Sequence, residues 1–383
     1  MNKTPLIHPA LLPVGLRDVL PPEAELEAKS VETIMECFAA HGYQRVSTPL
    51  LEFEESLFAG AGTATIEQTF RLMDPESQRM IGVRADITPQ IGRVASTRLA
   101  HAPRPLRLAY AGQCLRVRGG DLQNSRQIGQ AGIELIGPDM AEADAEIIVT
   151  AAQAFTALGL AGVSFDLTFP RLVLSLLDSV EAAALPGLTH ALDRKDRAAI
   201  ASIGGGRAKQ LLQLLDACGP AERAIPALLA IDLPDAAKAH AGRMADTVEA
   251  VRKNNATLSL TADLVEFRGY KYHTGICVTV FATGQQAELG RGGRYLCGTS
   301  EPATGITLYP DTIVRIAPAA SLRPRLYLQY GTSPEIAASF RQQNFATIIS
   351  LAPVKNPLAE AIRLGCSHYF KNNNIASVAG ETE

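Results

Sequence analysis

Residues 268–275 read RGYKYHTG, and residues 290–295 read GRGGRY. Between them runs GICVTVFA (275–282), whose β-branched and apolar residues predict a buried strand. The glycines of LGRGGRY (289–295) predict a turn after that strand. Both flanking stretches combine arginine, tyrosine and glycine, and such residues could supply a cation and a shaped wall for a small polar ligand.

Four more strands are predicted upstream, at QRVSTPLLE (44–52), SQRMIGVRA (77–85), PLRLAYAGQCLRV (105–117) and GQAGIELI (129–136). Successive side chains of a strand point to opposite faces. In the last of these strands Gln130, Gly132 and Glu134 therefore share one face, while the apolar residues between them face the other way.

Helical spacing is clearest in two places. Val31, Ile34, Met35 and Phe38 predict a helix that follows Pro21-Pro22 and ends before Gly42. Asp139 is positioned to cap an Ala-rich helix over 140–158.

The stretch 171–255 is rich in Ala and Leu with little strand signal, which predicts an all-helical insertion. Gly204-Gly205-Gly206 lacks phosphate-loop spacing, so it predicts a helix–helix turn. ATGITL (303–308) slightly resembles a phosphoribosyl-diphosphate loop, but no acidic pair precedes it.

Strands mixed with helices at irregular spacing predict an α+β protein with an antiparallel sheet flanked by helices. We expect a core domain over 1–320, with the helical insertion at about 171–260. A composition shift then marks a short αβ tail over 321–383, which begins with a strand at 324–330 and ends in a frayed stretch.

Composition narrows the function classes. The 383 residues carry a formal net charge of −3, which disfavours a protein that lives on nucleic-acid phosphates. The six cysteines are scattered without a C-x-x-C pair, so neither a metal site nor a disulfide framework is expected. We see no signal peptide and no membrane span, and expect a cytoplasmic protein.

A free amino acid needs a cation for its carboxylate, acceptors for its ammonium group and a pocket for its side chain. Four segments could supply these groups: GVRADITPQ (82–90), RVRGGDLQNSRQIGQAGIE (116–134), RGYKYHTG and GRGGRY.

Over roughly residues 13–315 these segments resemble class II histidyl-tRNA synthetases and, more closely, their paralogue family, the regulatory subunits of ATP phosphoribosyltransferase. GLRDVLPPEAE (15–25) is similar to the family's first motif, which builds a dimer interface. The resemblance implies a class II synthetase-like fold and a pocket for L-histidine.

The resemblance implies that Asp86, Thr88 and Gln130 hold the ammonium group and that Arg268 pairs with the carboxylate. Asp86 stands where the synthetase has Glu, and D-x-T is typical of the paralogue. Ala85 departs from a proline usual in both families.

At the other end of the ligand, the resemblance implies that Glu134 accepts a hydrogen bond from an imidazole N–H. Tyr272 and His273 would line the ring, with His273 in place of a synthetase Tyr. Arg116 retains the second-motif arginine, which contacts the α-phosphate in the synthetase, and we include it in the ligand site.

Departures from the synthetase pattern concern the ATP clamp. Arg118 reverses the charge of a synthetase Glu, and Asn124 replaces an ATP-contacting Arg. The third motif reads GITLYPDTI (305–313), with Thr312 in place of the arginine that grips the γ-phosphate and Pro310 inside an expected helix. Losing one such contact costs about 10²–10³ in rate, so adenylation is not expected. The tail is also too short for an anticodon-binding domain.

Each residue also has an ordinary structural alternative. Asp86 could be a helix cap, Arg268 a surface ion pair and His273 a packed histidine. Gln130 and Glu134 could line a solvated sheet face.

We expect a non-catalytic regulatory subunit in the first step of histidine biosynthesis, without cofactors. Its expected partners are the short-form catalytic subunit of ATP phosphoribosyltransferase and L-histidine, which would exert feedback control. We expect a homodimer within a hetero-oligomer, and no tRNA or membrane partner. The alternatives are a divergent active histidyl-tRNA synthetase and a synthetase-derived RNA-binding module.

Overall fold

The computed structural model describes residues 11–120, 124–267, 272–284, 287–298, 300–318, 322–371 and 373–379. The chain divides into two compact units, Met1–Pro318 and Ala319–Glu383. Arg268 lies outside the described residues.

The strands of the described chain are β1 (Gln44–Arg45), β2 (Leu51–Phe53), β3 (Arg71–Met73), β4 (Met80–Val83), β5 (Leu106–Leu115), β6 (Gln127–Ile136), β7 (Val163–Thr168), β8 (Gly219–Pro220), β9 (Ser259–Asp263), β10 (His273–Ala282), β11 (Gly290–Cys297), β12 (Glu301–Leu308), β13 (Arg325–Leu328), β14 (Ala346–Ile349), β15 (His368–Lys371) and β16 (Asn374–Ser377).

The α-helices of the described chain are α1 (Glu23–Ala40), α2 (Glu54–Leu57), α3 (Thr88–Ser96), α4 (Ala141–Ala157), α5 (Pro170–Leu177), α6 (Leu185–Asp193), α7 (Arg197–Ile203), α8 (Ala208–Ala217), α9 (Ala221–Leu229), α10 (Asp235–Asn254), α11 (Pro310–Ile313), α12 (Pro334–Gln342) and α13 (Pro357–Arg363). Two 3₁₀ segments lie at Gly60–Gln68 and Gly205–Arg207.

The main sheet of the first unit has nine strands among the described residues, in the order β1-β5-β6-β12-β11-β10-β7-β9-β8. The expectation of an antiparallel sheet is correct for its centre, from β5 to β7. It is wrong towards the edges, where β1 pairs parallel with β5 and β7 pairs parallel with β9. These parallel pairs join strands that are far apart in the chain, which local patterns do not reveal.

The turn predicted at 289–295 is wrong, because GRGGRY forms the first six residues of β11. β11 pairs with β10 on one side and β12 on the other. Its glycines permit this close packing. A Cβ at Gly292 would lie 2.1 Å from the backbone oxygen of Gly305 on β12. Glycine in a strand therefore marks a close backbone approach here rather than a turn.

The alternation predicted for residues 130–135 is confirmed. Ala131, Ile133 and Leu135 belong to the large core between the sheet and helices that include α1, α4 and α10. On the opposite face, a second core contains Ile87, Ile91 and other residues that pack around α3. Gln130 and Glu134 point to this second side, where both are buried.

The stretch predicted to be helical, 171–255, forms α5 to α10, with the two-residue β8 among these helices and β9 after them. The glycine triplet connects α7 to α8 as expected. Asp139 does not cap α4, because Met140 holds the N-cap position and makes no side-chain cap bond. Asp139 instead lies 3.3 Å from Arg243 and from Arg294.

The second unit contains a four-stranded sheet in its described part, ordered β14-β13-β15-β16, with α12 and α13. The predicted strand at 324–330 corresponds to β13. The prediction of a frayed C-terminal stretch is wrong for Asn374–Ser377, which forms β16 and pairs with β15. Within the described residues, we find no helix with both the length and the apolar character needed to cross a bilayer.

Candidate functional site

A small pocket with a cavity volume of about 40 Å³ opens on the α3 side of the main sheet. We call it the Glu134 pocket. Its lining residues in the described chain are Asp86, Thr88, Glu134, Tyr272, His273, Arg291, Gly292, Gly293, Tyr295, Gly305, Thr307 and Tyr309. Five of the residues predicted from the sequence therefore meet at one place.

Glu134 lies at the base of this pocket, on β6, and only 1% of its surface is exposed. Its Oε1 accepts hydrogen bonds from the hydroxyls of Thr88 (3.0 Å) and Tyr110 (3.4 Å), and its Oε2 from Tyr295 (2.9 Å). Burial raises the pKa of Glu134 to about 8, because the ionised carboxylate is poorly solvated there. The solvated-face alternative is therefore wrong for this residue.

Asp86 and Thr88 line the pocket, and the buried Gln130 contacts Asp86. Asp86 Oδ1 accepts a hydrogen bond from the Thr88 backbone N–H (2.9 Å), but Asp86 is not the helix cap, because Ile87 holds the N-cap position of α3. Asp86 Oδ2 accepts from Gln130 Nε2 at 3.3 Å, and Gln130 Oε1 accepts from the Ile87 backbone N–H at 3.0 Å. These bonds fix Gln130, on β6, and aim its amide at the Asp86 carboxylate.

Tyr272 and His273 form an aromatic wall. Their rings stack with centroids 4.1 Å apart, and Tyr272 meets the edge of Tyr295 at 6.0 Å. Burial, together with the charge of Arg291, lowers the pKa of His273 to about 3. The imidazole of His273 is therefore neutral at physiological pH, so it adds an aromatic surface to the pocket without adding charge.

A second cavity of about 370 Å³ lies next to the first and shares Arg291 and Tyr309 with it. We call it the Thr312 cavity. It is also lined by Arg116, so the structure places this predicted ligand residue in the neighbouring cavity. Asp311 Oδ1 is buried there with no hydrogen-bond partner among the described residues.

The expectation about Pro310 is wrong. Pro310 occupies the first position of α11, where its missing N–H costs nothing, so it does not disrupt a helix. Thr312 follows in the same short helix and lines the cavity.

The last arginine of GRGGRY has a structural role. Arg294 is 5% exposed and contacts the fully buried Asp144 of α4, with Nη2 to Oδ1 at 2.8 Å. It also donates to the backbone oxygens of Pro138 (2.9 Å) and Met140 (3.2 Å). Arg294 therefore fastens β11 to the start of α4, behind the sheet and away from the Glu134 pocket.

The sequence reasoning missed three hydroxyl groups around Glu134, those of Tyr110, Tyr295 and Thr307. The Tyr110 hydroxyl forms a hydrogen bond with Thr307 Oγ1 at 2.7 Å, in which either oxygen can be the donor. Glycine residues within the strands could have indicated these groups, because a glycine in a strand leaves room for a large side chain on the neighbouring strand. Gly132 lies opposite Tyr110, and a Cβ there would approach the Tyr110 hydroxyl to 2.4 Å. A Cβ at Gly305, opposite Glu134, would lie 1.8 Å from Oε2.

Comparison with known proteins defines the class. The family model for histidyl-tRNA synthetase matches residues 15–313. A crystal structure from Bacillus halodurans, described as an ATP phosphoribosyltransferase regulatory subunit/histidyl-tRNA synthetase, superposes with a TM-score of 0.80 at 24% identity, covering 94% of this chain and 97% of that one. A histidyl-tRNA synthetase from Nostoc gives a TM-score of 0.77 at 17% identity, with coverages of 94% and 91%. These structures show the fold alone, which is that of the histidyl-tRNA synthetase class.

Relatives by sequence define the family within this class. The ATP phosphoribosyltransferase regulatory subunit of Paramagnetospirillum magneticum is 50% identical over 371 residues, covering 96% of this chain and 98% of that protein. The protein of the same name from Gluconobacter oxydans is 50% identical over 365 residues, with coverages of 95% and 96%. The chain belongs to the family of ATP phosphoribosyltransferase regulatory subunits.

Proposed function

We propose that this chain is a non-catalytic subunit that binds L-histidine in the Glu134 pocket and thereby controls a short-form catalytic subunit of ATP phosphoribosyltransferase. The single observation that carries the proposal is the enclosure of two carboxylates, Asp86 and Glu134, in one small pocket with an aromatic wall. Histidine carries a donor group at each end, and each carboxylate can accept from one of them.

The ammonium group fits at Asp86. Gln130 Nε2 and the Thr88 N–H already orient this carboxylate, so it is held in place before a ligand arrives. A preorganised acceptor loses little entropy on binding. We propose Arg268 as the cation that pairs with the ligand carboxylate, on the basis of the resemblance to histidyl-tRNA synthetases.

The imidazole fits between Glu134 and the wall formed by Tyr272 and His273. A planar ring gains stacking contacts against that wall, while Glu134 accepts from a ring N–H. This contact would discriminate between ligands, because a side chain without a donor would forgo the hydrogen bond to Glu134.

The Thr312 cavity supports the non-catalytic part of the proposal. Besides Arg116 and Arg291, it exposes two acids, Glu288 and Asp311, and Glu288 already lies 3.2 Å from Arg291. Adenylation needs cations arranged around the phosphates of ATP. The cavity instead presents acids beside Thr312, where the synthetase places an arginine.

We propose that the regulatory output is a coupling free energy between the histidine pocket and the catalytic partner. Such couplings are typically about 1–3 kcal/mol, a factor of 5–150 in affinity. Around the first motif, Val14 and Leu20 are 75% and 67% exposed. Exposed large apolar residues of this kind support the proposed homodimer contact.

The decisive experiment combines the purified chain with a short-form catalytic subunit and measures phosphoribosyl transfer with and without histidine. We expect a complex in size-exclusion chromatography, altered transfer activity and inhibition by histidine. Glu134→Gln should leave the complex intact and remove the inhibition. Glu249→Gln makes the same chemical change on an exposed face of α10, where Glu249 contacts only Lys253 among the described residues, and it should behave like the unmodified chain.

Two outcomes would overturn the proposal. The first is the failure of the two chains to form a complex or to influence each other's activity. The second is histidine-dependent exchange of pyrophosphate into ATP by the chain alone, which would show an active synthetase. Tight tRNA binding that weakens steeply with salt would instead favour an RNA-binding module.

A further inference from the structure

Within the part of the chain that the structure describes, Glu134 is a buried carboxyl group without a cationic partner. Each hydrogen bond that it makes within the described chain comes from a hydroxyl, those of Thr88, Tyr110 and Tyr295. A buried carboxylate that lacks a cation is unstable unless a ligand or a proton supplies the positive charge.

The hydroxyls around Glu134 form a chain that can run in either direction. Thr88 Oγ1 lies 3.0 Å from Glu134 and 3.1 Å from the Tyr110 hydroxyl, which lies 2.7 Å from Thr307 Oγ1. In the last two contacts either oxygen can donate. When Glu134 is ionised, Thr88 donates to it. When Glu134 is protonated, it can donate to Thr88, which donates to Tyr110, which donates to Thr307.

The chain of hydroxyls thus accommodates both forms of Glu134 by rotating hydrogens, without moving heavy atoms. Among the described residues, the titratable groups that interact electrostatically with Glu134 are acids, namely Asp86, Tyr43, Tyr110, Tyr272, Tyr295 and Cys297. Arg291 and the neutral His273 line the same pocket. Burial and the charge of Asp86 raise the pKa of Glu134, so the empty pocket holds a proton at neutral pH.

We propose that Glu134 and the imidazole of bound histidine share one proton, so that the ligand is held as an imidazolium ion against an ionised carboxylate. This inference rests on the proposed histidine site. At neutral pH the Glu134 O–H bond breaks and its electron pair stays on the carboxylate. The lone pair of the ring nitrogen takes the proton, and no proton is exchanged with solvent.

The sharing of one proton has a measurable consequence across pH. The free imidazole has a pKa of about 6.5, and that of Glu134 is about 8. Below both values each partner brings a proton, so binding releases about one at pH 5.5. Near pH 7 the exchange is close to zero. At pH 8.5 neither partner is mostly protonated, and binding takes up about three-quarters of a proton.

The experiment is calorimetry of histidine binding to the full chain, in two buffers of different ionisation enthalpy at each of these pH values. We expect the proton number to change sign between pH 5.5 and pH 8.5. The same titration of Glu134→Gln at pH 8.5 gives the number of protons that the histidine amino group exchanges on binding, which is subtracted from the value for the unmodified chain. In parallel, the ¹⁵N spectrum of ring-labelled histidine should show an imidazolium at pH 8.5 when bound, even if the variant fails to bind.

Two further probes separate proton sharing from a purely structural role of the network. Thr307→Val removes the acceptor at the end of the hydroxyl chain, which disfavours protonated Glu134, so the change of sign should move to lower pH. The analogue 1,2,4-triazolylalanine has a ring of similar size that is far less basic, and it should bind at least tenfold more weakly than histidine at pH 7.

The outcomes distinguish this inference from the proposed function. Histidine that does not bind at any pH removes the proposed site, and proton sharing with it. Histidine that binds with a pH-independent proton number, or as a neutral ring at pH 8.5, overturns proton sharing and leaves the histidine site in place.

Discussion

Gly305 on β12 offers the sharpest test of the pocket geometry. It lies opposite Glu134 in the sheet, and a Cβ added there would lie 1.8 Å from Oε2, 2.8 Å from Oε1 and 2.4 Å from the carbon between them. Ordinary carbon–oxygen contacts are longer than about 3 Å. Gly305→Ala therefore requires the carboxyl group to move by more than about 1 Å.

That movement has a calculable cost. Oε2 would lose the Tyr295 hydroxyl at 2.9 Å, and Oε1 would shift from Thr88 at 3.0 Å. Overpacking a core costs about 1–3 kcal/mol, and leaving a buried polar group unsatisfied costs about 1–3 kcal/mol. We expect Gly305→Ala to lower the free energy of unfolding by about 2–6 kcal/mol. Histidine affinity should fall by about tenfold or more, because 1.4 kcal/mol corresponds to one factor of ten.

The unfolding free energy is measured by urea titration, with the same dependence on urea concentration assumed for each variant. Histidine affinity is measured by calorimetric titration. Gly242→Ala is the matched control. Gly242 lies inside α10 with open space around it, so added helix propensity should raise stability by up to about 1 kcal/mol. If Gly305→Ala unfolds at the same urea concentration as the unmodified chain and binds histidine equally well, the carboxyl group of Glu134 does not occupy the described position.

Three other predictions concern Glu134, Arg294 and Arg268. Because burial raises the pKa of Glu134 from 4.5 to about 8, the folded chain keeps a proton that the unfolded chain loses. The stability that Glu134 contributes is therefore complete below pH 4.5 and is lost as the pH rises to about 8. Relative to Glu134→Gln, the unfolding free energy should fall by up to about 1.4 kcal/mol per pH unit in this window, and a flat difference in urea titrations would contradict the burial argument. Among the described residues, Arg294→Ala leaves the buried Asp144 with Arg243 as its one remaining cation. It should lower the unfolding free energy by about 3–5 kcal/mol, and a loss under about 1 kcal/mol in the same assay would count against the structural role of Arg294. Arg268→Ala should abolish histidine binding in calorimetry while circular dichroism stays unchanged, and unaltered affinity would remove Arg268 from the site.

Local patterns predicted the parts of this protein that depend on neighbours in the chain. The helical spacing of Ile34 and Phe38 gave α1, and both residues are fully buried. The two-residue period of β6 placed Gln130 and Glu134 on one face because side chains of a strand must alternate. The resemblance then indicated Asp86 and Thr88, which the structure brings to the same pocket as Glu134.

Patterns failed where the partner lies far away in the chain. GRGGRY was interpreted as a turn because glycine is permissive of turns, yet its glycines serve close packing against β12. Pro310 is predicted to disrupt a helix, but it occupies the first position of α11. The sequence does not show where this helix begins, because that depends on tertiary contacts. Asp139 was expected to cap α4, but it faces the arginines Arg243 and Arg294, more than one hundred residues away in sequence.

The sequence by itself therefore determined which strand carries Glu134, which face it takes and which charged residues accompany it, since those properties follow from backbone geometry and residue chemistry. Only the tertiary structure decided the environment of that carboxyl group. The register of β6 against β5 and β12 brings Tyr110 and Gly305 to it, and β11 adds Tyr295. Register is a property of paired strands, so no single strand encodes it.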